Sequence, residues 1–263
     1  MRAVRPLLAL AALSLSSACG ASLHVTTAGN AFVTGDGDAS FADGGDVDIS
    51  RFVIALSAIE AFGADGAEGA LSPTQKAFDL TSEGPHEVTT LSGLEGRRYE
   101  ELTATVTTTS SDTENGGVDD DDFADLVAAG HAIVVAGTVE HDEVSKRFEW
   151  GFATRTQYID CEAQDGSPGL TAPGEWEITV HGDRLFADRL GDDEPRLRTA
   201  AIVAADEDDD GDVTLAELAA VVLPVEYEVS AASGVVTLAD FVTAATRGLV
   251  HENGNGTCSA LQL

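Results

Sequence analysis

Asp206, Asp208 and Asp210 stand at alternate positions and are followed by Gly211, Asp212, Val213, Thr214 and Glu217. Oxygen donors in this order suit a hard divalent cation, because calcium takes six to eight oxygens at about 2.3–2.6 Å. Over residues 206–217 the three aspartates supply side-chain oxygens at positions one, three and five of a twelve-residue EF-hand loop. Asp212 supplies its backbone carbonyl, Thr214 acts through a water, and Glu217 binds with both carboxylate oxygens. That last contact favours calcium over the smaller magnesium ion. Gly211 takes the sixth position, where the chain turns too sharply for a side chain. Val213 at position eight packs inward. A solvated acidic turn would account for the charge, but not for Gly211, Val213 and Glu217 together. Glu207, Asp209 and the Asp212 side chain add charge that speeds cation capture and makes affinity sensitive to salt.

EF-hands usually pair through a short β-bridge. Residues 234–241 resemble the second half of a partner loop, but 229–233 hold no carboxylate. Thr237 therefore reads either as a helix cap with Asp240, or as the remnant of a ligand-free hand. A site without a competent partner is expected in the range of roughly 10⁻⁵–10⁻³ M.

Other chemistry is sparse. His181 and Asp183 close a strand, while His86, His131, His141 and His251 are scattered. No pair has HxH or HxxxH spacing, so a second metal site from His181, His251 and His86 would have to be assembled by the fold. An envelope protein that handles transition metals or hydrolyses a substrate around His181 is the alternative reading. No GxSxG, HExxH, GxxxxGK[ST] or GxGxxG occurs, and no catalytic residue is assigned. The expectation is a non-enzymatic calcium binder. Asp119 to Asp122 precede a short helical pattern; they either cap it and favour its dipole or gather a cation.

The elements that must position the loop come next. The chain has 263 residues, 43% of them apolar, enough to bury a core. Acidic residues outnumber basic ones 46 to 14, a formal charge of −32, which repels nucleic acid and concentrates cations. Arg2 and Arg5, an apolar run at 7–15 and small residues before Cys19 predict a signal peptide over 1–18. Cys19 after Ser16-Ser17-Ala18 resembles a lipobox cysteine, with plain secretion the other outcome. The expected location is then the cell envelope, periplasmic or surface-facing, with a lipid anchor in the membrane. Cys161 and Cys258 are left as a pair in an oxidising compartment, and are read as a disulfide.

Residues 19–46 read as a lipidated start with a first strand and tether. From 47 to 192, short Val- and Thr-rich strands separated by Gly or Pro predict an antiparallel β-sandwich-like domain. Phe148, Trp150 and Phe152 alternate along one strand and should face the core. From 193 to 263, helical spacing, Pro195 and a capping box at Thr237 predict a helical EF-hand segment and tail. The class is α+β.

Several segments carry a family likeness: 146–152, 156–161, 181–186, Glu194-Pro195, the loop, 251–258, and earlier 78–80 and 86–90. Together they resemble a family of bacterial cell-envelope lipoproteins, myxobacterial in type, that carry a single EF-hand. The likeness implies calcium binding and an envelope location, and implies no catalytic activity. Members often have histidine where this chain has Arg184, a departure that weakens a histidine metal site.

Overall fold

β2 (Asp46–Gly63) is the spine of the molecule. Its side chains alternate at first and are then buried without a break from Phe52 to Leu56. Two covers explain the change. Phe52, Ile54 and Leu56 enter the main core, whereas Val53 and Ala55 face a second cluster closed by Leu126 of α2 (Asp120–Ala129). Two of the aspartates before and within α2 have structural contacts: Asp119 accepts from the Asp121 amide at 3.0 Å, and Asp122 pairs with Arg51. Gly130 ends the helix in the left-handed region, at φ 65°.

The computed structural model describes residues 20–263 except 38, 64–67, 83, 97, 163–169, 192–194 and 231–232. The signal peptide and Cys19 expected from the sequence, and Glu194, lie outside the described residues. Strand accounts for 47% of the chain and helix for 19%, so the body is β-rich.

A four-stranded sheet runs β14 (Val250–Glu252), β12 (Gly174–Val180), β1 (Ala21–Gly29), β5 (His86–Leu94). An eleven-stranded, curled sheet runs β13 (Asp212–Val213), β9 (Val144–Phe152), β8 (Ile133–His141), β2, β6 (Arg98–Val106), β10 (Thr156–Glu162), β15 (Thr257–Gln262). β3 (Glu68–Ser72), β4 (Lys76–Asp79), β7 (Glu114–Asn115) and β11 (Leu170–Thr171) attach beside this path. Both sheets turn apolar side chains into one core: Leu23, Trp176 and Ile178 from the smaller, Phe52, Trp150 and Tyr158 from the larger. Phe148, Trp150 and Phe152 are all buried there, as period-two spacing requires. The β8–β9 hairpin turns through Asp142 and Glu143, both at positive φ (50° and 65°), the geometry that matches strand twist in a two-residue turn.

Two expectations need correction. The sheets are not purely antiparallel, since β1–β12, β4–β7 and β9–β13 run parallel. A parallel pair needs only a long connection, and the whole of β2 to β11 lies between β1 and β12. The first strand expected within 19–46 is β1, which sits inside the four-stranded sheet with a partner on each side. The C-terminal stretch is not uniformly helical. Its helices are short, α3 (Ala200–Val203), α4 (Leu215–Ala220) and α5 (Leu238–Ala245), and they follow the remaining four-residue α1 (Ala31–Thr34) near the other end. The chain then returns to both sheets as β14 and β15. Cys161 on β10 and Cys258 on β15 are disulfide-bonded across 97 residues of sequence. Closing a loop of that length in the unfolded chain contributes roughly 4–5 kcal/mol.

Candidate metal centre

The loop lies between α3 and α4, and the sequence shapes it locally. The Gly211 amide donates to Asp206 Oδ2 at 3.1 Å, the Asp210 amide to Asp208 Oδ1 at 3.2 Å and the Asp212 amide to Asp210 Oδ1 at 2.8 Å. These bonds turn the carboxylates toward a common centre. Ligand oxygens of Asp206, Asp208 and Asp210 all fall within 4.8 Å of one another, and this is the one such group of three or more acids, cysteines or histidines among the described residues. Gly211 is at φ 89°, and a Cβ there would meet nothing within 4 Å. The left-handed backbone, rather than crowding, is what calls for glycine.

Asp206 anchors the centre. Its side chain has no exposed surface. Oδ2 accepts from Lys146 Nζ at 2.5 Å and from the Gly211 amide, while Oδ1 is buried without a partner. A buried, ionised oxygen without a donor is costly. The Lys146 hydrogen bond holds the Asp206 carboxyl below its usual range, with burial opposing and the Gly211 amide helping. The Glu217 carboxyl is likewise depressed, first by the Thr214 amide and hydroxyl. Both are anionic at neutral pH, as metal ligands must be.

Glu217 is held differently from the three aspartates. Oε2 accepts from the Thr214 amide and hydroxyl, both at 2.8 Å, and Oε1 accepts from the Glu207 amide at 3.1 Å. It closes a capping box on α4 and spans the loop without joining the aspartate group. Thr214 serves as the cap of α4. Thr237 and Asp240 form a second capping box, on α5, which agrees with the helix-cap reading.

Sequence reasoning missed the grip that the body has on this loop. β13 pairs in parallel with β9, Asp212 opposite Arg147 and the buried Val213 opposite Phe148. The Arg147 amide donates to Gly211 O at 2.9 Å, and Trp150 Nε1 donates to Val213 O at 2.9 Å. The Arg147 guanidinium holds both Asp212 oxygens at 2.7 Å and pulls that carboxyl below its usual range. The loop is thus bridged to a strand of the large sheet. The only signal was the Lys146-Arg147 dipeptide in a chain poor in bases.

The histidines divide. His181 and His251 meet at 4.2 Å between ring centroids. His86 stands on β5, at the opposite edge of the four-stranded sheet from β14, near Phe78 and Ser82. His181 Nε2 faces Gly254 O at 2.8 Å, and Nδ1 faces the Asn30 amide at 3.3 Å and Asp183 Oδ1 at 3.5 Å. Both nitrogens of His251 face carbonyls, those of Gly256 and Gly248. No ring nitrogen of the pair is left open for a metal. Asp183 completes the group, accepting from Asn30 at 2.6 Å. Burial pushes its carboxyl up, but His181, Asn30 and Arg184 prevail and hold it below its usual range. No protein-family model, curated protein or solved structure matches this chain.

Proposed function

We propose that this protein binds one calcium ion in residues 206–217, and that the ion fastens the short helices α3 and α4 to the large β-sheet. The observation that carries the reading is the convergence of Asp206, Asp208 and Asp210 within 4.8 Å, with Asp206 Oδ1 buried and unpartnered. Calcium draws on the three aspartates, the Asp212 carbonyl, a water held by Thr214, and Glu217 once it turns from its capping position. A clamp is the role this arrangement favours, because β13 is already bonded to β9 and binding there tightens an existing contact. The work is non-enzymatic. The resemblance and the leader-like start of the sequence support a reading in which the protein lies in a bacterial cell envelope, with Cys19 as the lipid attachment point and no nucleic-acid partner. The Cys161–Cys258 disulfide is compatible with export.

Calorimetric titration with calcium, with thermal stability followed in parallel, tests this. Wild type is expected to bind about one equivalent with a Kd of roughly 10⁻⁵–10⁻³ M, and to melt higher when loaded. Glu217→Gln is expected to lose at least tenfold in affinity. No heat and no stabilisation at millimolar calcium would make the loop an acidic turn.

A further inference from the structure

We propose that the cavity between the 3-10 turn Gly182–Phe186 and the end of α5 binds a small organic phosphate or sulfate ester. The cavity holds about 510 Å³ and is lined by Arg184, Arg189 and Arg247, with no carboxylate among its described lining residues. Acids outnumber bases 46 to 14 in this chain, so a wall with three guanidinium groups and no acid runs against the composition.

Arg189 is compensated, with Nη2 3.1 Å from Glu228 and Nε 3.5 Å from the buried Asp188. The other two have no carboxylate at ion-pair distance among the described residues. Arg184 donates from Nη1 to Gly191 O at 2.8 Å, and its Nε is buried with no partner. Arg247 donates from Nε to Gln262 Oε1 at 2.9 Å. A guanidinium has five N–H donors in a planar fork, and these contacts use one apiece. What remains matches the paired oxygens of a tetrahedral oxyanion. Elsewhere the negative field of the protein repels such an anion, so the cavity is a local exception to it.

The remaining wall gives the ligand its shape. Leu190, Ala244 and Ala245 offer an apolar side, and the volume falls in the range of small-molecule sites rather than that of a bare ion. An ester with a short organic tail fits both halves. The site is separate from residues 206–217 and does not depend on the calcium reading.

Calorimetry of the full chain with phenyl phosphate, phenyl sulfate and benzoate tests this. Saturable binding of either ester is expected, weakened at least tenfold in Arg184→Gln and in Arg247→Gln, with folding checked by circular dichroism. Arg247→Lys, which keeps the charge and loses the fork, should fall between. Comparing the two esters identifies the preferred oxyanion, and benzoate should bind more weakly than either. No saturable binding up to about 10 mM would overturn the proposal, as would binding that both glutamine variants leave unchanged. Binding that appears only when Asp192, Asp193 and Glu194, next in sequence after Gly191, are changed to amides would also overturn it.

Discussion

Among the described residues two aspartates are buried, Asp188 and Asp206, and they solve the same problem in opposite ways. Asp188 has no exposed surface and is ringed by Arg189, Arg196 and Arg198, with Arg196 Nε at 2.9 Å and Arg198 Nε at 3.2 Å. The Arg196 amide also donates to it, at 3.1 Å. Burial raises its pKa, but these donors and charges outweigh that and hold the carboxyl below its usual range. Asp206 is equally sheltered, yet it has one lysine, one amide and one oxygen without a donor. The first is a finished knot that joins the stretch 188–198 to Glu228, whose amide reaches Asp188 O at 2.7 Å. The second is left with one oxygen open. A buried carboxylate is structural where protein cations complete it, and a candidate ligand where they do not.

Asparagine substitutions should separate the two most sharply. Asp188→Asn leaves three guanidinium groups facing a neutral amide. The expected loss is about 3 kcal/mol, the lower end for breaking a buried pair, because Arg196 keeps 52% of its side-chain surface in water. It should be the same with and without calcium. Asp206→Asn loses the single Lys146 pair and should cost less than this in calcium-free buffer, and should remove most of the stabilisation that calcium gives wild type, about 2.7 kcal/mol at a hundred times the Kd. Urea unfolding of both variants in EDTA and in excess calcium decides this. Calcium dependence in the Asp188 variant, or its absence in the Asp206 variant, would break the distinction.

What the sequence disclosed follows the range of the forces involved. The loop was legible because its donors lie within twelve residues, and because Gly211 reports a local backbone demand. The β8–β9 hairpin and the buried Phe148, Trp150 and Phe152 were legible from period-two alternation. Lys146 was not legible as a partner of Asp206, since the two are 60 residues apart and meet only through β9–β13 pairing. β14 was hidden because three residues are too few to show a period, and β15 because its side chains are mostly exposed. The arginine knot escaped for a similar reason: Arg196 and Arg198 read as ordinary surface bases until the turn after Phe186 brings Asp188 under them.

Lys146 offers a smaller and finer test. It satisfies one oxygen of Asp206 in place of a metal, and the pairing with Asp206 raises its own pKa, with Asp209 and Asp210 adding to the effect. A divalent ion on Oδ1 would lie near this ammonium, and the repulsion amounts to about 1–2 kcal/mol at ~5 Å in a water-like dielectric. Lys146→Met is therefore expected to tighten calcium binding about five- to thirtyfold, and to lower stability in EDTA. Calorimetry reads the first and urea midpoints the second. A loss of affinity would mean that Lys146 shapes the loop rather than competing for it.

The His181–His251 pair lies between the two aspartates in kind, and its effect is the smallest. His181 is finished, with a polar partner at each ring nitrogen. His251 is not, since a neutral ring can donate to only one of its two carbonyls. Burial holds its pKa below the ordinary 6.5, with the charges of His181 and Arg184 adding to the effect and the Gly256 and Gly248 carbonyls opposing it. The unfolded chain then takes up this proton at a higher pH than the folded one. The contribution to stability is complete above pH 6.5 and is lost as pH falls from there through the folded value. Urea midpoints measured from pH 7.5 down to 5.5 should fall for wild type and fall less for His251→Gln, whatever the variant's starting stability. Equal slopes would mean that the carbonyls of Gly248 and Gly256 hold the proton against burial, and that His251 is as finished as Asp188.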